Sequence, residues 1–439
     1  MVDRDDIIID RTASRPAQAQ QEYPTASGTR RRCRGRSEGI MDAAAVTPVA
    51  KRSRLLRLAI LWLAGADLRL TVLAVPPLLP LIHRDLGLSE GAIGALSGLP
   101  VLLLGLAAIP GSLVIARIGA RRAAVAGFLF VAATAAARGA GPSVAMLFGM
   151  TVLMGAGIAV VQPALPTLVA EWFADMPGFA TAVYANGFLI GEAVPAAVTL
   201  PFILPAVGGS WAAGLAVWSL PVATTALMLA GLGTPRQAAA ASGEPARWWP
   251  DWNSPLTWQL GLLMGGTGGL YFSANAFIAD YLHAIDRPEL VSAALAALNT
   301  GQLPSSFLVL FLVRRLGGSR LTFVVMPLLA ITGLCGLFAP FDWAIVVGVF
   351  ATGFFGAFVL ILGLALPPQL AAPGDVHRLS AGMFAIGYTL SCAIPPLGGL
   401  LWDLTHVPAS AFLVGAASSA IVSVTALTLP KRLAPQPGG

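Results

Sequence analysis

Charge is scarce in this 439-residue chain, and lysine scarcer still. Charged residues make up 11%, against about 25% in a soluble globular protein. Only two of the 27 basic residues, Lys51 and Lys431, are lysines, a bias that reads as codon composition rather than chemistry. Apolar residues reach 56% and the mean hydropathy is +0.77. This excludes an ordinary water-soluble domain and points to an all-α polytopic membrane protein.

Cysteine and histidine are equally thin. Cys33, Cys335 and Cys392 lie far apart, with no CxxC, no metal spacing and no disulfide framework. His83, His283, His377 and His406 fall in or beside expected loops. There is no phosphate loop, nucleophile–base pair or ligand cluster. An enzyme is therefore not expected, nor a metal or other cofactor.

Residues 1–50 are polar and of mixed charge, with an arginine cluster, "RRRCRGR". They lack the apolar core of a signal peptide and read as a disordered cytoplasmic tail, with Met41 as an alternative start. Nucleic-acid or anionic-lipid contact by the arginines is the lesser reading, and no nucleic-acid partner is expected.

What the chain does have is long apolar runs. They fall at 57–82, 91–116, 123–141, 144–169, 179–205 and 212–233, then at 255–281, 289–313, 320–340, 343–370, 379–402 and 410–430. Each is long enough to cross a bilayer with some tilt. The expectation is twelve transmembrane helices: one six-helix half over 51–233, a cytoplasmic linker over 234–254, a second half over 255–430, and a tail over 431–439. Basic residues set the orientation. From Lys51 onward the segments on the N-terminal side of the membrane carry 15 Lys/Arg, whereas the opposite ends and loops carry Arg84, Arg138 and Arg287. That predicts both termini inside.

The halves repeat. "ANGFLIGEAVP" (185–195) aligns with "AIGYTLSCAIP" (385–395), "ALP" at 164–166 recurs at 365–367, and "ARIGARR" (116–122) recurs as "RRLGGSR" (314–320). All three offsets are near 200 residues. Two parallel six-span repeats are the plan of transporters whose halves rock about a mid-membrane site.

Over roughly residues 57–430 the chain resembles the Major Facilitator Superfamily, and within it the cyanate and nitroimidazole transporter-like family. "GAGIAVVQPALPTLVAEWF" (155–173), "LTWQLGLLMG" (256–265) and "LSAGMFAIGYTLSCAIPPLGGLLWDLT" (379–405) carry the resemblance. The family's Asn-x-Arg pair is matched by Asp67-Leu68-Arg69, a family arginine by Arg138, and a glutamine of some members by Gln162. There are departures: Asp67 replaces an amide, Glu192 stands at a usually small position, the "EWFADMPG" loop is acidic, and Ala116 replaces an aspartate of the superfamily's loop signature.

The resemblance implies that the first, fourth, seventh and tenth spans line a cavity, so polar residues at membrane depth become candidates. A charged side chain at mid-bilayer costs about 2.5–3.5 kcal/mol on insertion scales, so Asp67 and Arg69 need a reason to be there. Arg69 is a candidate anion contact through forked hydrogen bonds, with a structural ion pair as the competing reading. Asp67, two residues away, points about 200° around the helix and needs a separate partner. Glu192, whose repeat counterpart is Cys392, is a candidate for proton coupling or for pairing with Arg69, and Asp67 is a candidate for proton uptake or for an ion pair with another buried group.

Gln162, Tyr271, Asn275, Asn299, Gln302 and Tyr388 are further candidate substrate contacts, or helix-joining polar groups. Arg138 is expected to snorkel to the outer interface rather than bind. Arg117, Gly119, Arg121, Arg122, Arg314, Arg315 and Arg320 are expected to set topology and brace a cytoplasmic gate.

The leading expectation is a secondary transporter in a bacterial cytoplasmic (inner) membrane, functioning as a monomer in the lipid bilayer. It moves a small solute, a cyanate-like or carboxylate anion, by alternating access, with protons as the coupling partner. A proton-driven exporter of small drugs or nitroheterocycles is the alternative within transport. A transporter-like sensor is the alternative outside it.

Overall fold

A bilayer offers no partner to a free backbone N–H or C=O, so apolar spans close their hydrogen bonds internally as helices. The computed structural model describes residues 48–88, 96, 102–141, 143–232, 247–316, 319–372 and 374–429, and no strand occurs among them. The N-terminal tail with Met41, most of the 234–254 linker and the 431–439 tail lie outside the described residues.

The principal helices are α1 (Pro48–Leu73), α2 (Ala108–Ile118), α3 (Ala120–Ala137), α4 (Val144–Trp172), α5 (Pro177–Val198) and α6 (Ser219–Gly231). They continue as α7 (Pro255–Ala284), α8 (Val291–Leu316), α9 (Arg320–Cys335), α10 (Asp342–Leu364), α11 (Val376–Thr405) and α12 (Leu413–Thr428). Their starts follow local rules. Proline opens α5 and α7, and the Ser143 hydroxyl accepts from the Met146 amide to cap α4. Gly119 separates α2 from α3 at φ +84°, a backbone that side-chain-bearing residues avoid.

Among the described residues nine helices are long and apolar enough to cross a membrane, ten if the bent pair Pro177–Pro195 and Thr199–Ala206 counts as one span. This is a multi-pass membrane protein. Of the twelve expected spans, the second appears as a short helical stretch over 102–106 followed by an 11-residue apolar helix, α2, with most of 89–101 outside the described residues. The seventh, α7, runs 30 residues but is too rich in glycine and polar side chains to pass on hydropathy. Three of those polar groups, Thr267, Tyr271 and Asn275, line an internal cavity.

Val49–Gly439 forms one compact unit. Its packing repeats: α2 lies on α4 as α8 lies on α10, and α3 contacts α4 and α6 as α9 contacts α10 and α12. The repeat extends to single hydrogen bonds. Arg121, opening α3, donates to the Leu229 and Ala230 carbonyls at the end of α6, at 2.9 and 2.7 Å. Arg320, opening α9, donates to the Leu427 carbonyl near the end of α12 at 3.1 Å. A cation at these carbonyls answers the partial negative charge of a helix C-terminus. Arg117, Arg122 and Arg315 are exposed.

The same end of the bundle is packed shut. Arg54 of α1 pairs with Asp175. A Cβ on Gly178 of α5 would come 3.1 Å from the Val313 side chain of α8, so that side chain packs directly on the glycine. Residues 247–249 run across this end, bonded to α2 on one side and α11 on the other. The Trp248 carbonyl accepts from Ser112 at 2.7 Å, the Trp249 carbonyl accepts from Arg378 at 2.9 Å, and the Arg247 carbonyl meets His377 Nε2 at 3.2 Å.

Candidate functional site

Two glycines one turn apart let α5 touch α1 backbone to backbone. A Cβ on Gly187 would sit 2.1 Å from the Trp62 carbonyl oxygen, and one on Gly191 would sit 2.2 Å from that of Ala66. No larger residue fits without moving a helix. This crossing presses the face of α5 that carries Tyr184, Phe188 and Glu192, at four-residue spacing, against the turn of α1 that carries Arg69.

The consequence is an ion pair. Arg69 Nε lies 3.2 Å from Glu192 Oε1, while the guanidinium carbon sits 4.1 Å from the Phe188 ring centroid. The approach of Nε is too bent to be a hydrogen bond. The two terminal nitrogens of Arg69 have no hydrogen-bond partner among the described residues, so the fork remains open to a ligand.

Arg69 and Glu192 form part of the wall of a cavity of about 930 Å³, large for a small-molecule site, where about 300–1,000 Å³ is usual. The wall is mostly apolar, with Leu68, Val72, Phe272 and Phe384 among its residues. Gln162, Tyr271, Asn275, Asn299, Gln302 and Tyr388 also line it, so every expected substrate contact opens onto one space.

Several of these polar groups bond to one another. Gln162 of α4 donates to the Tyr388 hydroxyl of α11 at 2.5 Å. Tyr271 of α7 donates to Asn299 of α8 at 2.6 Å, and the Asn299 amide reaches Asn275 at 3.3 Å. Gln302 lies against the Tyr271 hydroxyl. A neighbouring cross-link, Asn186 to Ser306 at 2.8 Å, joins α5 to α8.

Asp67 goes elsewhere. It is 1% exposed, lies against Thr225 of α6, and does not line the cavity. The 200° divergence from Arg69 is realised by a regular helix through both residues.

Arg138 departs from expectation. Far from snorkelling to an interface, it is 0% exposed, donates to the Thr71 carbonyl of α1 at 2.7 Å, and lines the cavity. Depth was misjudged because Arg138 sits at the end of α3 in sequence. The main chain instead continues beyond it, and Gly139 packs against Ala212.

Sequence reasoning passed over Tyr184 altogether. It is 3% exposed, lines the cavity, and its hydroxyl has no partner. The signal was present in the repeat. "YANGF" (184–188) faces "FAIGY" (384–388), an aromatic pair in which the hydroxyl changes ends. The Phe384 and Tyr388 rings stack at 6.1 Å.

Residues 61–285, just over half of the chain, match the family model described as Major Facilitator Superfamily. The chain belongs to the Major Facilitator Superfamily. It is 28% identical to the cyanate transport protein CynX of Escherichia coli (strain K12), over 86% of this chain and 97% of that one. It is 27% identical to the 2-nitroimidazole transporter of the same organism, over 81% and 91%. In fold it is similar to the crystal structure of the superfamily transporter FucP in the outward conformation. That match has a TM-score of 0.70 and 14% identity, covering 86% of this chain and 99% of that one.

Proposed function

We propose that this superfamily member is a secondary active transporter of a small anion, working by alternating access. Twelve spans with both termini inside, in a bacterial cytoplasmic (inner) membrane, is the topology we assign it. The observation that carries the reading is the Arg69–Glu192 pair in the cavity wall, with the terminal nitrogens of Arg69 given no hydrogen-bond partner by the described residues.

In the empty site Glu192 neutralises Arg69. An arriving anion takes the fork in a bidentate contact and displaces the carboxylate. Glu192, left without its cation in an apolar wall, is then neutralised by a proton, because an isolated carboxylate away from water is costly. Anion and proton therefore travel together. The roles of the two relatives, cyanate and 2-nitroimidazole transport, support a small solute.

The test is uptake into proteoliposomes of a panel of small anions and neutral heterocycles, with and without an inward proton gradient. Gradient-driven anion uptake that Arg69→Gln abolishes supports the reading. Anion uptake unchanged in a correctly inserted Arg69→Gln overturns it. The aromatic and aliphatic wall favours a second reading, export of neutral nitroheterocycles. Transport of the heterocycles alone, insensitive to Arg69→Gln, would establish that instead.

A further inference from the structure

The cavity holds a second arginine that the anion–proton exchange at Arg69 leaves unused. Arg138 is wholly buried and makes one hydrogen bond, to the Thr71 carbonyl. Its Nε and Nη1 are buried and have no partner. Removing a guanidinium from water without a counter-charge costs several kcal/mol, and one carbonyl bond offsets a part of it. No salt bridge with an acidic residue is made by Arg138 among the described residues, and Asp67 lies against Thr225. The carbonyl that Arg138 holds is two residues beyond Arg69, so both arginines line the cavity beside the same stretch of α1.

Charge balance says what is missing. Arg69, Arg138 and Glu192 are the charged residues lining the cavity among those described. The empty site carries a net +1. A monoanion arriving with one proton on Glu192 leaves it at +1, still with Arg138 unanswered. A dianion arriving with one proton brings it to zero and gives each arginine an acceptor.

We infer that Arg138 is a second anion subsite, and that the transported solute is a small organic acid with two anionic groups, one for each arginine. This rests on the reading of the cavity as an anion site. The apolar side chains of the cavity wall suit a short aliphatic or aromatic spacer.

The test compares matched ligands differing by one carboxylate, benzoate with phthalate and butyrate with succinate. Binding to the detergent-purified full chain is read as the concentration dependence of the melting shift. Wild type is expected to bind each dicarboxylate at least tenfold more tightly than its partner. Arg138→Gln is expected to bring that ratio near one. Arg138→Lys, which keeps a charge and loses the fork, is expected to lower it several-fold, and it decides the matter if Arg138→Gln does not fold.

Equal affinity for both members of each pair in wild type overturns this inference alone. A preference retained in both variants does the same. Absence of any carboxylate-induced shift overturns it together with the anion reading of the cavity.

Discussion

Arg69 and Glu192 face each other at 3.2 Å across the α1–α5 crossing without a hydrogen bond between them, and Phe188 backs the guanidinium at 4.1 Å. A contact of this kind holds the two charges together while leaving the donors of the arginine free. The aromatic face contributes about 0.5–2 kcal/mol to keeping the cation in place when the carboxylate leaves.

Glu192→Gln separates binding from coupling. The neutral amide neither releases nor takes a proton, so exchange of labelled for unlabelled anion should persist, within about threefold of wild type. Accumulation driven by a proton gradient should fall at least tenfold. The pH dependence has a definite sign. Wild-type uptake should consume a proton on the entry side and rise as that side is acidified, and Glu192→Gln should be flat. A variant that still accumulates anion against its gradient would place coupling elsewhere, with Asp67 the next acid to replace.

Gly187→Ala should separate α5 from α1, since its Cβ would lie 2.1 Å from the Trp62 carbonyl. Overpacking a tight contact costs about 1–3 kcal/mol, and here it also pulls Glu192 from Arg69. Gly149→Ala is the control. A Cβ there meets nothing within 4 Å, and replacing a helix-interior glycine stabilises by about 0.5–1 kcal/mol. Melting curves in detergent should move in opposite directions for the two variants. Equal shifts would mean that the crossing has slack.

Arg121→Ala and Arg320→Ala test the internal repeat. Arg121 satisfies two terminal carbonyls and Arg320 one, so Arg121→Ala should cost more, about 1–2 kcal/mol against less than 1. The two sites share no partner, and the double variant should melt at the sum of the two shifts. A double variant no worse than Arg121→Ala alone would refute independent helix-end anchoring.

The repeat is legible in the sequence because it rests on residues that must stay small or basic. Gly187 matches Gly387 and the two basic turns match each other: Gly187 is held by the α1 backbone, Gly387 by the Met264 side chain, and the turns by helix termini. The candidate contacts were legible for a related reason: Gln162, Asn299 and Tyr388 stand alone in apolar surroundings, where a polar group needs a destination. Tyr184 escaped because a tyrosine on an apolar face reads as core, and nothing local distinguishes a satisfied hydroxyl from an orphaned one. Arg138 escaped because sequence gives distance along a helix and not depth in the bundle. α7 shows the converse limit. The glycines and polar groups that fit it to the cavity lower its hydropathy below that of a lipid-facing span.

The strap formed by residues 247–249 gives the last prediction. Three successive carbonyls are held alternately by α11, α2 and α11, so the strap ties together helices from the two repeats at the closed end. Opening that end requires α2 and α11 to part, and the bonds at Ser112 and Arg378 cannot both survive the movement. Each bond is worth about 0.5–1.5 kcal/mol net, more for the one from the guanidinium, and losing two shifts a two-state balance by about five- to 150-fold. Ser112→Ala combined with Arg378→Ala should therefore favour the state open at the basic end. Val313, 5% exposed and packed at that end, is a suitable reporter. With Cys33, Cys335 and Cys392 replaced, Val313→Cys should react with a soluble maleimide several-fold faster in the strap variant. An unchanged rate, with transport intact, would mean that closure rests on the Gly178–Val313 contact and the Arg54–Asp175 pair, with the strap following passively.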